Sequence, residues 1–173
     1  MPPFIKPLYL LSILTWLSAC APIPYGETRF NLSAGSPSSE WESRISREPG
    51  EIQFTTQLQQ GSYNQILFTT GNSGYAAPLR VELSDMDCDA GHEVIIEYRD
   101  TPNDIYRKYF DTIITWGRPT LISIHWEADG QVGVTMEGET ISFKPQKKPS
   151  KVIFRSIVGQ FPVSHFTYNA KDQ

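Results

Sequence analysis

The densest run of side chains able to do chemistry is Asp85-Met86-Asp87-Cys88-Asp89-Ala90-Gly91-His92. Alternating aspartates can aim Asp85, Asp87 and Asp89 at one hard cation, and Ca2+ takes roughly six to eight oxygens. The run departs from a calcium-binding helix-loop-helix: Ala90 stands where the invariant glycine belongs, and Ile96 where the bidentate glutamate belongs. An acidic turn between Leu83 and Val94 accounts for the same residues and is the preferred reading, with Ca2+ at the three aspartates as the alternative. Cys88 is a poor nucleophile, because a thiol is activated by positive charge or a helix N-terminus and the flanking aspartates oppose its ionisation. Cys88 and His92 also lack the further ligands that zinc requires.

Other chemistry is sparser. Carboxylate pairs that hydrolyse glycosides must face one cleft, yet Glu82 and Asp85 fall on opposite faces of a continuous strand. Glu93 and Glu97 are separated by three residues, and neither pair reproduces the Glu-x-Asp-x-x-Glu spacing of jelly-roll glycosidases. His125 and Glu127 alternate with apolar residues, so both read as a solvated strand face. The chain has neither a Gly-x-Ser-x-Gly elbow nor a phosphate loop. These observations favour a binding protein over an enzyme, with a glycan hydrolase as the residual catalytic class. What remains is aromatic: Tyr63, Tyr75 and Tyr106 lie in or beside expected loops, where sugar rings could stack on them. Tyr109 and Trp116 lie in similar places, but alternation turns Trp116 and Trp126 inward, toward a core.

The N-terminus is the most specific segment. Lys6 precedes the apolar run Leu8–Leu17, about ten residues, too short for a hydrocarbon core that needs roughly 20 and built like an export signal. It ends in Leu17-Ser18-Ala19-Cys20, which resembles the lipobox of bacterial lipoproteins. The resemblance implies cleavage after residue 19, acylation of Cys20 and a lasting lipid anchor, since more than one chain is attached and each buried methylene contributes about 0.8 kcal/mol. Ala21 stands where an aspartate would favour inner-membrane retention. The resemblance therefore places the protein in the outer membrane of a bacterial envelope, facing the periplasm or the surface.

Composition bounds the partners. Removing residues 1–19 leaves 154 of the 173 residues, enough for one domain with a core. The full chain carries −4, and loss of the leader's one lysine leaves −5 before termini are counted. Lys147, Lys148 and Lys151 form the main basic run, beside Pro145 and Pro149, so nucleic acid is not an expected partner. Cys88 is the sole cysteine beside Cys20, which excludes a disulfide within the acylated chain.

Residues 20–39 are rich in Pro, Ser and Gly and read as a tether, with a short edge strand expected at 29–32. Glu40–Arg47 places Trp41 and Ile45 at helical spacing but is short. From Glu51 onward the period is two: Ile52, Phe54 and Thr56 share a face, as do Val81 and Leu83, and Val94, Ile96 and Tyr98. Strands are also expected at Gln65–Thr70, Phe110–Trp116, Val152–Ile157 and Val163–Tyr168, with a turn at Gly71-Asn72-Ser73-Gly74. The clearest unit is a hairpin in which Ile122, Ile124 and Trp126 precede Ala128-Asp129-Gly130-Gln131 and Val132, Val134 and Met136 return. A further tight turn is expected at Glu137-Gly138-Glu139.

The stretch Ile122–Glu139, with its Asp-Gly turn, valine-rich strand and acidic-Gly turn, resembles the central hairpin of concanavalin A-like jelly rolls. That group includes laminin-G modules and legume-type lectins. Glu51–Leu58, Ile66–Gly71 and Val81–Leu83 upstream, and Val152–Gly159 and His165–Tyr168 downstream, follow the same strand order. The resemblance implies an all-β, antiparallel two-sheet sandwich over residues 40–169, followed by a tail at 170–173. It also implies a lectin-like role with envelope glycan as ligand. The alternative is a lipoprotein that binds an envelope protein, of the assembly-factor or toxin-immunity kind.

Overall fold

The computed structural model describes residues 28–36, 39–45, 49–69, 77, 79–85, 91–101, 104–145 and 149–170. Within them all regular structure is strand: β1 Thr28–Ser33, β2 Glu40–Arg44, β3 Gly50–Thr56, β4 Tyr63–Thr69, β5 Leu79–Ser84, β6 Gly91–Thr101 and β7 Asp104–Tyr109. There follow β8 Ile114–Thr115, β9 Thr120–Trp126, β10 Val132–Met136, β11 Glu139–Phe143, β12 Lys151–Val158 and β13 Gln160–Ala170. The first sheet runs β1-β13-β3-β9-β10-β11 and the second β2-β12-β4-β5-β6-β7, with β8 added to β6. Every pairing is antiparallel. The fold is thus the two-sheet sandwich that the concanavalin A-like resemblance implies.

The inner faces follow from residue type. Ile122, Ile124 and Trp126 are buried with Val132, Val134 and Met136, and β9 pairs Trp126 with Val132 across the turn. Asp129 Oδ1 accepts the Gln131 N–H at 3.0 Å, and Gly130 takes φ 88°, the left-handed region glycine enters at little cost. Glu137 (φ 50°) and Gly138 (φ 86°) make the next two-residue turn, leading from Met136 to Glu139.

Across the sandwich, Phe154 of β12 is the hub of an aromatic cluster. Its ring lies 5.1–5.8 Å from those of Phe30, Trp41, Phe54, Phe161 and Phe166. These rings come from both sheets, so they tie the layers together at one end.

The structure resolves one open segment, corrects one expected strand and bears out another. Glu40–Arg44 is a strand: residues four apart share a face in a strand as well as in a helix, so Trp41 and Ile45 pack inward without helical turns. Phe110–Trp116 is not one strand. Phe110 is buried, but only Ile114 and Thr115 pair, with His92 and Gly91. Trp116 follows in a turn and is partly exposed. The edge strand expected at 29–32 is β1, which pairs with β13. Leu17–Cys20, the turn at 71–74 and Cys88 lie outside the described residues.

Candidate functional site

The outer face of the second sheet is built in rows. Cross-strand register aligns Leu67, Arg80, Glu97 and Arg107 in one row, and Gln65, Glu82, Ile95 and Tyr109 in the next. Tyr63, Ser84 and Glu93 make a third. Each residue is outward because its neighbours along the strand (Ile66, Val81, Leu83, Val94, Ile96) are core. Tyr63, Arg80, Glu82, Ser84, Glu93, Ile95, Glu97, Arg99 and Arg107 line an open groove of about 510 Å3, within the range of roughly 300–1,000 Å3 typical of ligand sites.

Glu97 organises one end. It is 3% exposed and three guanidiniums converge on it. Oε1 accepts Arg80 Nη2 at 2.7 Å and Arg99 Nη2 at 3.0 Å, and Oε2 accepts Arg107 Nε and Nη2, each at 3.1 Å. Burial alone would push the Glu97 carboxyl up. The Arg99 hydrogen bond, the Arg80 charge and the Arg107 hydrogen bond outweigh it, so the group titrates below its ordinary 4.5. At the other end Gln65 Nε2 donates to Tyr63 Oη at 2.6 Å, and Tyr63 Oη donates to Glu82 Oε1 at 3.0 Å. Burial, then the Glu82 charge, pushes the Tyr63 phenol above its ordinary 10.0. Tyr109, 54% exposed, stands beside Ile95 on the same face and offers a ring at the rim.

A groove of about 530 Å3 lies on the outer face of the first sheet, lined by Glu51, Gln53, Ser123, His125, Thr135 and Glu137 among others. Ser123 Oγ donates to Glu51 there. The His125 ring lies over Gly133, where a Cβ would come within 2.2 Å of it. This surface has the hydrogen-bonding groups of a polar site but, among the described residues, no convergent charge cluster like that around Glu97. Glu127 is exposed in the turn after β9.

A third polar group is buried at the sandwich end. His92 Nε2 lies 2.9 Å from Ser62 Oγ and 3.0 Å from the Ser62 carbonyl oxygen. A carbonyl can only accept, so Nε2 carries the proton and cannot serve Ser62 as a base. His92 Nδ1 and Asn64 Oδ1 are buried with no hydrogen-bond partner among the described residues. Burial holds the His92 pKa below its ordinary 6.5, against the opposing pull of Asp85 and the Ser62 carbonyl. A depressed histidine means the unfolded chain binds the extra proton first. Stability from His92 is therefore complete above pH 6.5 and falls as pH drops toward the folded value, by at most about 1.4 kcal/mol per pH unit. Urea denaturation from pH 8 to 5 is expected to show this slope, and His92→Gln to remove it. A wild-type curve flat across that window would contradict the assignment.

Of the residues singled out from sequence, Tyr63 lies in the second-sheet groove. Tyr106 does not join it. It turns to the inner side of β7 and stacks on Tyr98 (4.8 Å, 14°), which stacks on Phe143 (5.8 Å, 16°). Tyr75, Asp87 and Asp89 lie outside the described residues. The Asp85 carboxylate accepts the Gly61 N–H, and among the described residues no three His, Cys, Asp or Glu side chains gather as a metal site. Arg80, Glu97, Arg99, Arg107 and Tyr109 form the groove's charged end and rim, and none was singled out as a site residue. The available signal was outward Arg and Glu on successive alternating strands.

No family model matches the chain, and no curated protein matches it in sequence. Its fold does match solved structures. An alginate lyase from Alteromonas sp. 272 superposes with TM-score 0.57 at 11% identity, covering 76% of this chain and 79% of that one. Sheep galectin-11 in complex with glycerol gives TM-score 0.56 at 14% identity, covering 78% of this chain and 100% of that one. Lactose-liganded congerin II gives 0.54 at 9%, covering 82% and 100% respectively. At such identities the likeness is one of fold: a concanavalin A-like, two-sheet jelly roll.

Proposed function

We propose that this chain is an envelope lipoprotein, anchored through an acylated Cys20 in the outer membrane, whose sandwich binds glycan without converting it. The observation that carries the reading is the convergence on one sheet face of an exposed ring, Tyr109, with the hydrogen-bonding groups of Tyr63, Glu82, Glu93 and the Glu97–arginine cluster. Sugar sites combine such a stacking platform with a few fixed polar groups. A fold shared with a lactose-liganded congerin and with sheep galectin-11 supports the same reading.

Binding without turnover fits the protonation states. A general acid must hold a proton near neutral pH, whereas Glu97 is held ionised by its arginines. Glu97 also has both oxygens engaged by guanidiniums, and Tyr63 Oη is held between Gln65 and Glu82, so neither is set to exchange a proton with a bound sugar. An observation that favours a protein partner instead is β7, an edge strand exposing Ile105, Tyr106 and Tyr109.

The test is a glycan array probed with the full-length protein in detergent, beside Tyr109→Ala and a crosslinking screen. Saturable binding, weakened about five- to tenfold by Tyr109→Ala, with no shortened product, is the expected result. An empty array with a stoichiometric protein crosslink would replace this reading with the protein-partner one. In the same cells Cys20→Ser should leave the membrane fraction, and unchanged detergent-phase partitioning would remove the anchor.

A further inference from the structure

We infer that the second-sheet groove selects an anionic saccharide, a sugar chain bearing carboxylate or another oxyanion, and that Arg99 and Arg107 read the charge. This deepens the glycan reading and rests on it. Glu97 supplies one negative charge to three guanidiniums. Arg80 is shared with a second carboxylate, its Nη1 lying 3.0 Å from Glu82 Oε1. Among the described residues Arg99 and Arg107 have no ion pair other than that to Glu97. This end of the groove therefore carries an excess of positive charge.

The guanidiniums are also held in place. Glu97 engages Nε and Nη2 of both Arg99 and Arg107, so each planar head is fixed in orientation while its Nη1 is not used by that carboxylate. A guanidinium edge offers parallel N–H groups that match an oxyanion bidentately. Because the heads are already immobilised, less rotamer freedom is lost when a ligand arrives.

The opposite end has the other polarity. Glu82 and Glu93 line it beside Tyr63 and Ser84. Carboxylates there accept hydrogen bonds from neutral sugar hydroxyls and repel an anion. Glu93 and Glu97 stand four residues apart on β6, about 13 Å along the strand, enough to separate a charged sugar from a neutral neighbour. The groove can thus fix the direction of a chain as well as its charge.

The test titrates full-length protein in detergent with a galacturonic acid hexamer, its carboxyl-reduced neutral counterpart and a sulfated form of that neutral oligomer, at low and at moderate salt. The acidic hexamer is expected to bind at least about tenfold tighter than the neutral one at low salt, with the margin shrinking as salt rises. The sulfated arm shows whether carboxylate geometry or charge alone is read. Arg107→Gln, at a half-exposed position, is expected to erase the preference, lowering affinity for the acidic hexamer by at least about tenfold and for the neutral one by less, with a cooperative thermal transition showing that the fold persists. Equal affinities for acidic and neutral oligomers, a preference that survives Arg107→Gln, or no binding of either charged oligomer would each overturn the charge assignment. The glycan reading beneath it falls only if the array itself is empty.

Discussion

Phe154→Ala is expected to destabilise the protein by about 3–5 kcal/mol, the range for truncating a buried phenylalanine. Phe154 is fully buried, and its ring touches five others drawn from β1, β2, β3 and β13. Those neighbours are anchored in separate strands, so the hole cannot close by moving one of them. Edge-to-face pairs add about 0.5–1.5 kcal/mol beyond the buried area, which places the loss toward the top of the range. Domains of this size have roughly 5–15 kcal/mol to lose. Thermal denaturation should drop by about 10–20 °C, with the urea midpoint falling at unchanged m-value. A shift under 5 °C would mean that the sheets are held together elsewhere.

Glu97→Ala should cost about 2–3 kcal/mol, short of the roughly 3–5 kcal/mol for breaking a fully buried ion pair. The discount follows from exposure: the side chains of Arg80, Arg99 and Arg107 are 24%, 30% and 56% exposed, so water can partly take the carboxylate's place. A second consequence appears in acid. The folded-state pKa of Glu97 lies below 4.5, so its contribution is complete above that value and fades as pH falls through the folded pKa. The variant should lack that limb of the acid-denaturation curve. Unclaimed guanidiniums should also hold the galacturonic acid hexamer more tightly but less selectively. A variant as stable as wild type at pH 7 would show that Glu97 does not organise the arginines.

The fold was legible wherever one strand face is buried and the other wet. The β9–β10 hairpin shows this best, because its alternation and its Asp-Gly turn agree. β7 escaped notice because all six of its residues are exposed, so no apolar period marks it. β13 hides a different irregularity. Phe161 and Val163 face inward, as do Phe166 and Tyr168, and the change of parity is absorbed by a bulge between Ser164 and Thr167, with His165 at φ 51°. A strict period of two cannot anticipate such a step.

The site was legible only in part. Tyr63 could be named from its ring and its place beside a turn. The arginines could not be grouped from spacing, because Arg80, Arg99 and Arg107 lie on three strands and meet only through the register that aligns Arg80, Glu97 and Arg107. Along the chain each reads as an ordinary solvated charge, and pairing alone turns them into one cluster.

The position of β1 sets a limit on reach. Under the proposed anchor, eight residue steps separate Cys20 from Thr28, where pairing with β13 begins. Even drawn straight, that leash spans no more than about 26–29 Å. The sandwich would be moored close above the bilayer, at an elevation comparable to the thickness of the lipid's own hydrocarbon layer. On that proposal, whatever it captures would have to come down to the lipid surface, since so short a leash would leave the domain too little slack to search far from it.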